Sequence, residues 1–147
     1  MKISLFFLVL FLGAILAIHL SMNAQVGVIV KNSKMANALF WTIGAITAIL
    51  IATSSWDAGF FSRVKEVPLW LLTAGIMGAC LVFGMAWAIP QVGAGPAFVL
   101  LVVGQILTGM ICSHFGLLGS PVEHISWPKV LGALLLVGGA SIITFLK

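Results

Sequence analysis

The stretch "AIPQVGAGP" (residues 88–96) interrupts an uncharged run that extends from residue 67 to residue 122. As one helix that run would measure roughly 80 Å at the 1.5 Å rise of an α-helix, well beyond the ~30 Å hydrocarbon core of a bilayer. Pro90, Gly93, Gly95 and Pro96 divide it. Pro90 is expected to end one helix, over about 69–89. Pro96 is expected in the first turn of the next, over about 95–112, where its missing N–H is harmless. This turn decides that the chain crosses the membrane five times.

On either side of it the charge map says the same. No Asp, Glu, Lys or Arg occurs in 3–30, 35–56, 67–122 or 130–146. The chain of 147 residues is 62% hydrophobic and 7% charged, and its mean hydropathy is +1.26. A soluble domain carries about 25% charged residues, so this chain cannot cover itself with a solvated surface. Runs of this length and polarity are read as transmembrane helices. The expected fold is an all-α integral membrane domain over residues 1–147, with helices over about 3–22, 35–54, 69–89, 95–112 and 128–146, the first open to a continuation as a polar-faced turn through Asn23 and Gln25. Trp41, Trp56, Trp70 and Trp127 fall near expected helix ends, as an interfacial aromatic belt requires, and Trp87 lies near the end of the third span. Lys2 and the apolar segment after it resemble a signal peptide cut after Ala24. Met22 fits the minus-three position poorly, so the segment is kept as the first span.

Five spans put the termini on opposite faces. One face then carries Lys2, Arg63, Lys65 and Lys129, and the other Lys31, Lys34 and Lys147. So small a bias barely selects an orientation under the positive-inside rule. Either loop charges count unequally and one orientation wins, or two copies insert oppositely and pair antiparallel. Such a pair would make with two chains the inverted repeat that many transporters carry in one. Small residues four apart, such as Gly44, Ala48 and Ala52, Ala74 and Gly78, Gly84 and Ala88, or Gly104 and Thr108, would let helices approach closely.

The polar residues at depth carry the functional reading. No acid lies within an expected span. His19 and Asn23 are four apart and share a helix face, with Gln25 beyond the membrane end. Gln91 sits in the turn between the third and fourth spans, and Gln105 near the middle of the fourth. A buried amide must find a partner, which is another helix, a freed carbonyl or a bound molecule. Ser113 and His114 are placed to cap the fourth span at the interface. His114, Glu123 and His124 are too scattered to read as a metal site. There is no Ser-His-Asp spacing, HExxH, P-loop or Gly-rich phosphate cradle, so neither an enzyme nor a cofactor is expected. Cys80 and Cys112 lack any CxxC spacing and read as packing residues. No Lys/Arg cluster suits nucleic acid.

"NAQVG", "LWLLTAGIMGACLV", "IPQVGAG", "GQILTGMICSHFGLLG" and "LGALLLVGGASII" together resemble the YdcZ-type exporters of the bacterial inner membrane, placed in the drug/metabolite transporter superfamily. The resemblance covers nearly the whole chain. It implies a five-helix half-transporter that pairs, with itself or a paralogous partner, into a ten-helix inverted-repeat bundle. Matching positions are Asn23, Gly78, Pro90, Gly93, Gly104, Gln105, His114, Phe115, Gly116 and Gly132. The family often has an acid just before the histidine, and Ser113 stands there instead. His19 stands where the pattern has an amide. The expected partners are the bilayer, a second subunit and a small molecule held near the midplane. His19, Asn23, Trp41, Trp87 and Gln105 are the candidate contacts to it. Gly78, Pro90, Gly93, Gly104, Ser113, His114 and Gly116 are the structural or interface candidates. The competing class is a non-transporting membrane subunit whose polar residues only join helices.

Overall fold

The computed structural model describes residues 3–55 and 57–146. Met1, Lys2, Trp56 and Lys147 lie outside the described residues, and with them the belt position of Trp56 and the charges of Lys2 and Lys147. All regular structure among the described residues is helical: α1 (Ile3–Ile29), α2 (Ser33–Thr53), α3 (Phe60–Val64), α4 (Leu69–Leu72), α5 (Ala74–Val92), α6 (Ala94–Phe115) and α7 (Trp127–Phe145). A 3-10 turn, Leu117–Gly119, follows α6. Five segments are long and apolar enough to span a membrane, with α4 and α5 forming one of them across Thr73. The chain folds as two compact units that divide after Gln91.

In the first unit α1 and α2 form an antiparallel hairpin. Leu20, Asn23, Ala24 and Gly27 are the buried residues of α1, a stripe at helical spacing. Ala36 of α2 is buried too. Gly27 lies so near Ser33 that a Cβ added there would come within 3.2 Å of the Ser33 hydroxyl oxygen. The turn between the helices needs Lys31 at φ +52°. Asn32 then caps α2, its side-chain oxygen accepting from the N–H groups of Lys34 and Met35 at 3.1 Å each. That cap contributes about 1 kcal/mol. The α1 helix runs to Ile29, past Met22 and past the expected continuation through Asn23 and Gln25. Its polar last turns are stabilised by packing on α2, which outweighs their hydropathy.

Asn37 of α2 donates through Nδ2 to the Ala79 carbonyl at 3.3 Å, and Trp41 packs on Gly78. Both contacts join α2 to α5. The expectation that Pro90 ends this helix is overturned, because α5 continues to Val92 with Pro90 inside it. Proline constrains the turn before it while its own φ is helical. The helix stops instead at Gly93, whose φ of +89° leaves the helical region. The Gln91 side chain donates to the Trp87 carbonyl at 2.9 Å, so Gln91 closes the last turn and is not a free turn residue.

In the second unit α6 and α7 pair antiparallel. Pro96 sits in the first turn of α6, as its chemistry requires. The α6 helix extends through Ser113, His114 and Phe115, three residues past its expected end, and closes at Gly116 in the left-handed region, φ +62°. Its last turn is held by the following loop, where the Glu123 N–H donates to the Ser113 carbonyl at 2.9 Å.

Most large apolar side chains of both units are exposed. Such a surface requires lipid or another subunit as its solvent.

Candidate functional site

A groove of about 220 Å³ lies between α1 and α2, with His19, Asn23, Val26, Ala36, Leu39 and Phe40 among its walls. The helical spacing of His19 and Asn23 puts both on the face that meets α2. Ala36, 1% exposed, is small enough to bring α2 over them.

Asn23 is 4% exposed and is the one buried polar residue among those described. Its Nδ2 has no hydrogen-bond partner. A buried amide without a partner costs roughly 1–3 kcal/mol, so this donor stands out in a wall whose other side chains, His19 apart, are apolar.

His19 is half-buried. Its Nδ1 lies 3.2 Å from the Ile15 carbonyl oxygen one turn earlier. A carbonyl only accepts, so Nδ1 carries a hydrogen in that contact. The imidazole stacks on Phe40, ring centroids 5.4 Å apart and 18° between planes. Phe40 in turn meets Trp41 edge to face at 5.8 Å. The row His19–Phe40–Trp41 thus runs from the groove to the Gly78 contact. Phe40 was missed in the sequence. Its only signal there is that it lies four residues after Ala36.

The remaining candidates sit elsewhere. Trp87 is exposed on α5. Gln105 is exposed on α6 in the second unit, and its amide has no partner among the described residues. Gly104 has nothing within 4 Å of where a Cβ would be, and the same holds for Gly44, Gly84 and Gly109. Those small-residue faces are open within the chain, whereas Gly78 is packed on Trp41.

The second unit has its own groove, about 480 Å³, where Gly109 and Ser113 face Lys129 and Gly132. Lys129 Nζ donates to Glu123 Oε2 at 2.9 Å. That hydrogen bond, and the ammonium charge with it, hold the Glu123 carboxyl below the ordinary carboxylate value. His114 Nδ1 accepts from the Ile125 N–H at 3.2 Å, and the His114 and His124 rings meet edge to face. Among the described residues no group of three or more His, Cys, Asp or Glu side chains is placed to hold a metal ion.

Comparison with known proteins agrees with the membrane reading. Residues 4–142 match the family described as "Putative inner membrane exporter, YdcZ". The chain is 28% identical to the inner membrane protein YdcZ of Escherichia coli (strain K12), over 82% of this chain and 89% of that protein. No solved structure matches it. With five membrane-crossing helices and a family match over nearly its whole length, the chain belongs to the YdcZ family of multi-pass inner-membrane proteins.

Proposed function

We propose that the protein is a subunit of an exporter for a small metabolite or drug-like molecule, and that the α1–α2 groove is where the cargo is held. The observation that carries this reading is the Asn23 amide, almost completely buried, unpartnered, and set in the groove wall beside His19. Polar groups kept at depth in a membrane protein at such cost are functional candidates by default. The family description, an exporter, points the same way.

The functional unit in this proposal is an antiparallel pair, of two copies or of this chain with a paralogue, giving a ten-helix inverted-repeat bundle that works by alternating access. Three observations support pairing. The loop charges are almost balanced between the two faces. The glycine faces around Gly44 and Gly104 are open. Gln105 offers an unpartnered amide from an exposed helix surface, and an interhelical bond from another chain would satisfy it.

Efflux from proteoliposomes tests the cargo site. Asn23→Leu is expected to abolish transport while leaving the protein folded, and a variant that transports normally removes Asn23 from the path.

A further inference from the structure

We propose that the α6–α7 groove holds one membrane phospholipid, its acyl chain lying between the helices and a phosphoethanolamine headgroup at the mouth. The inference is independent of the cargo reading of the α1–α2 groove. The α6 helix ends at Phe115 and α7 begins at Trp127. Ser113, Glu123 and Lys129 therefore line the groove where the two helices reach the membrane surface. Ile106 and Leu136 also line it, about 10 Å deeper along their helices than Ser113 and Lys129. Between these ends Gly109 and Gly132 keep the trough open, with nothing within 4 Å of where a Cβ would be at either. The groove thus grades from charged to apolar in the direction in which a bilayer does. Two helical turns of trough suit a stretch of acyl chain and are shorter than a membrane-crossing helix. A volume of about 480 Å³ lies in the range of small-ligand sites.

The mouth decides the headgroup. Both of its charges can be reached from outside, since the side chains of Lys129 and Glu123 are 38% and 66% exposed. Lys129 Nζ uses two of its three donors, on Glu123 Oε2 at 2.9 Å and on the His124 carbonyl at 3.4 Å. Glu123 Oε1 and the Ser113 hydroxyl have no partner among the described residues. One cationic donor and one hydroxyl are thus left for a phosphate, and one anionic acceptor for an ammonium. A phosphoethanolamine head carries both complements. A choline head has no N–H to donate to Glu123. A glycerol head has no cation to offset the Glu123 charge, so its phosphate meets a carboxylate beside the lysine.

The test is native mass spectrometry of the detergent-purified protein, titrated with phosphatidylethanolamine, phosphatidylcholine and phosphatidylglycerol of identical acyl chains. The first phosphatidylethanolamine is expected to bind about threefold more tightly than either of the others, the effect of one exposed ion pair. Glu123→Gln is expected to bring it level with phosphatidylcholine. Gly132→Leu, which fills the trough, is expected to weaken it at least about tenfold through lost chain burial. Either other lipid binding as tightly to the unaltered protein overturns the proposal, as does a preference that survives in a folded Glu123→Gln protein. Unchanged affinity in a folded Gly132→Leu protein overturns it too. Soluble phosphoethanolamine binding as tightly as the lipid removes the chain from the groove and has the same result. A lipid-free dimer that Gly132→Leu disrupts also overturns it, by placing a second copy there. Where a variant does not fold, the three-lipid comparison on the unaltered protein decides.

Discussion

A single side chain, Asn23, separates a packing role from a binding role. If its amide joined helices, removing it would destabilise the fold. Its Nδ2 is unpartnered, so Asn23→Leu is expected to leave stability unchanged or raise it by about 1 kcal/mol, because an unpaid desolvation is removed. Asn32→Ala, by contrast, should cost about 1 kcal/mol through loss of the α2 cap. Unfolding of the two variants in mixed micelles gives the comparison, and Asn23→Leu proving the more destabilising would refute the assignment. The sequence already paired His19 with Asn23, since four residues is one helical turn. It could not reveal the orphaned donor, or Phe40 as the surface under the imidazole, because both depend on which part of α2 faces α1.

Elements were legible where apolar runs were long and less so at their ends. The five spans follow from charge-free length alone. The end of α1 does not, since packing on α2 carries the helix beyond the polar turn of Asn23 and Gln25 to Ile29. Pro90 likewise reads as a stop, whereas the left-handed Gly93 is the stop. Gly116 illustrates how firmly such ends are set. It has φ +62°, and a Cβ there would meet Val122 Cγ2 at 2.8 Å. Gly116→Ala is expected to cost ~1–3 kcal/mol and loosen the loop before α7, which is measurable as faster proteolysis between Ser120 and Ser126. The Glu123–Lys129 pair holds the same loop and has a pH signature. The folded carboxyl titrates below its ordinary value of 4.5, so the contribution of the pair is complete above that value. It is lost as pH falls through the lower folded value. An acid limb in loop protease resistance is expected, and Glu123→Gln should remove it.

For the whole molecule, the near-balanced loop charges and the open glycine faces belong to one expectation. Reporters fused to the C-terminus should give signal on both sides of the membrane, and one-sided signal would replace the two-copy pair with a paralogous partner. Gln105→Leu is expected to weaken pairing by roughly 0.6–2 kcal/mol, the range for interhelical polar bonds, read by cross-linking in native membranes. The length of α1 reaches further than pairing. At 27 residues it measures about 40 Å, against about 28 Å for the 19-residue α7. In a hydrocarbon layer of ~30 Å the longer helix must tilt or protrude. Asn23 lies about 9 Å along α1 from its end, so the groove sits toward the membrane face that carries Lys31 and Lys34. Acyl-chain length then acts as a depth control. Long-chain lipids draw the His19–Asn23 pair into hydrocarbon, and short-chain lipids lift it toward the hydrated headgroup layer, where water can supply the partner that the Asn23 amide lacks.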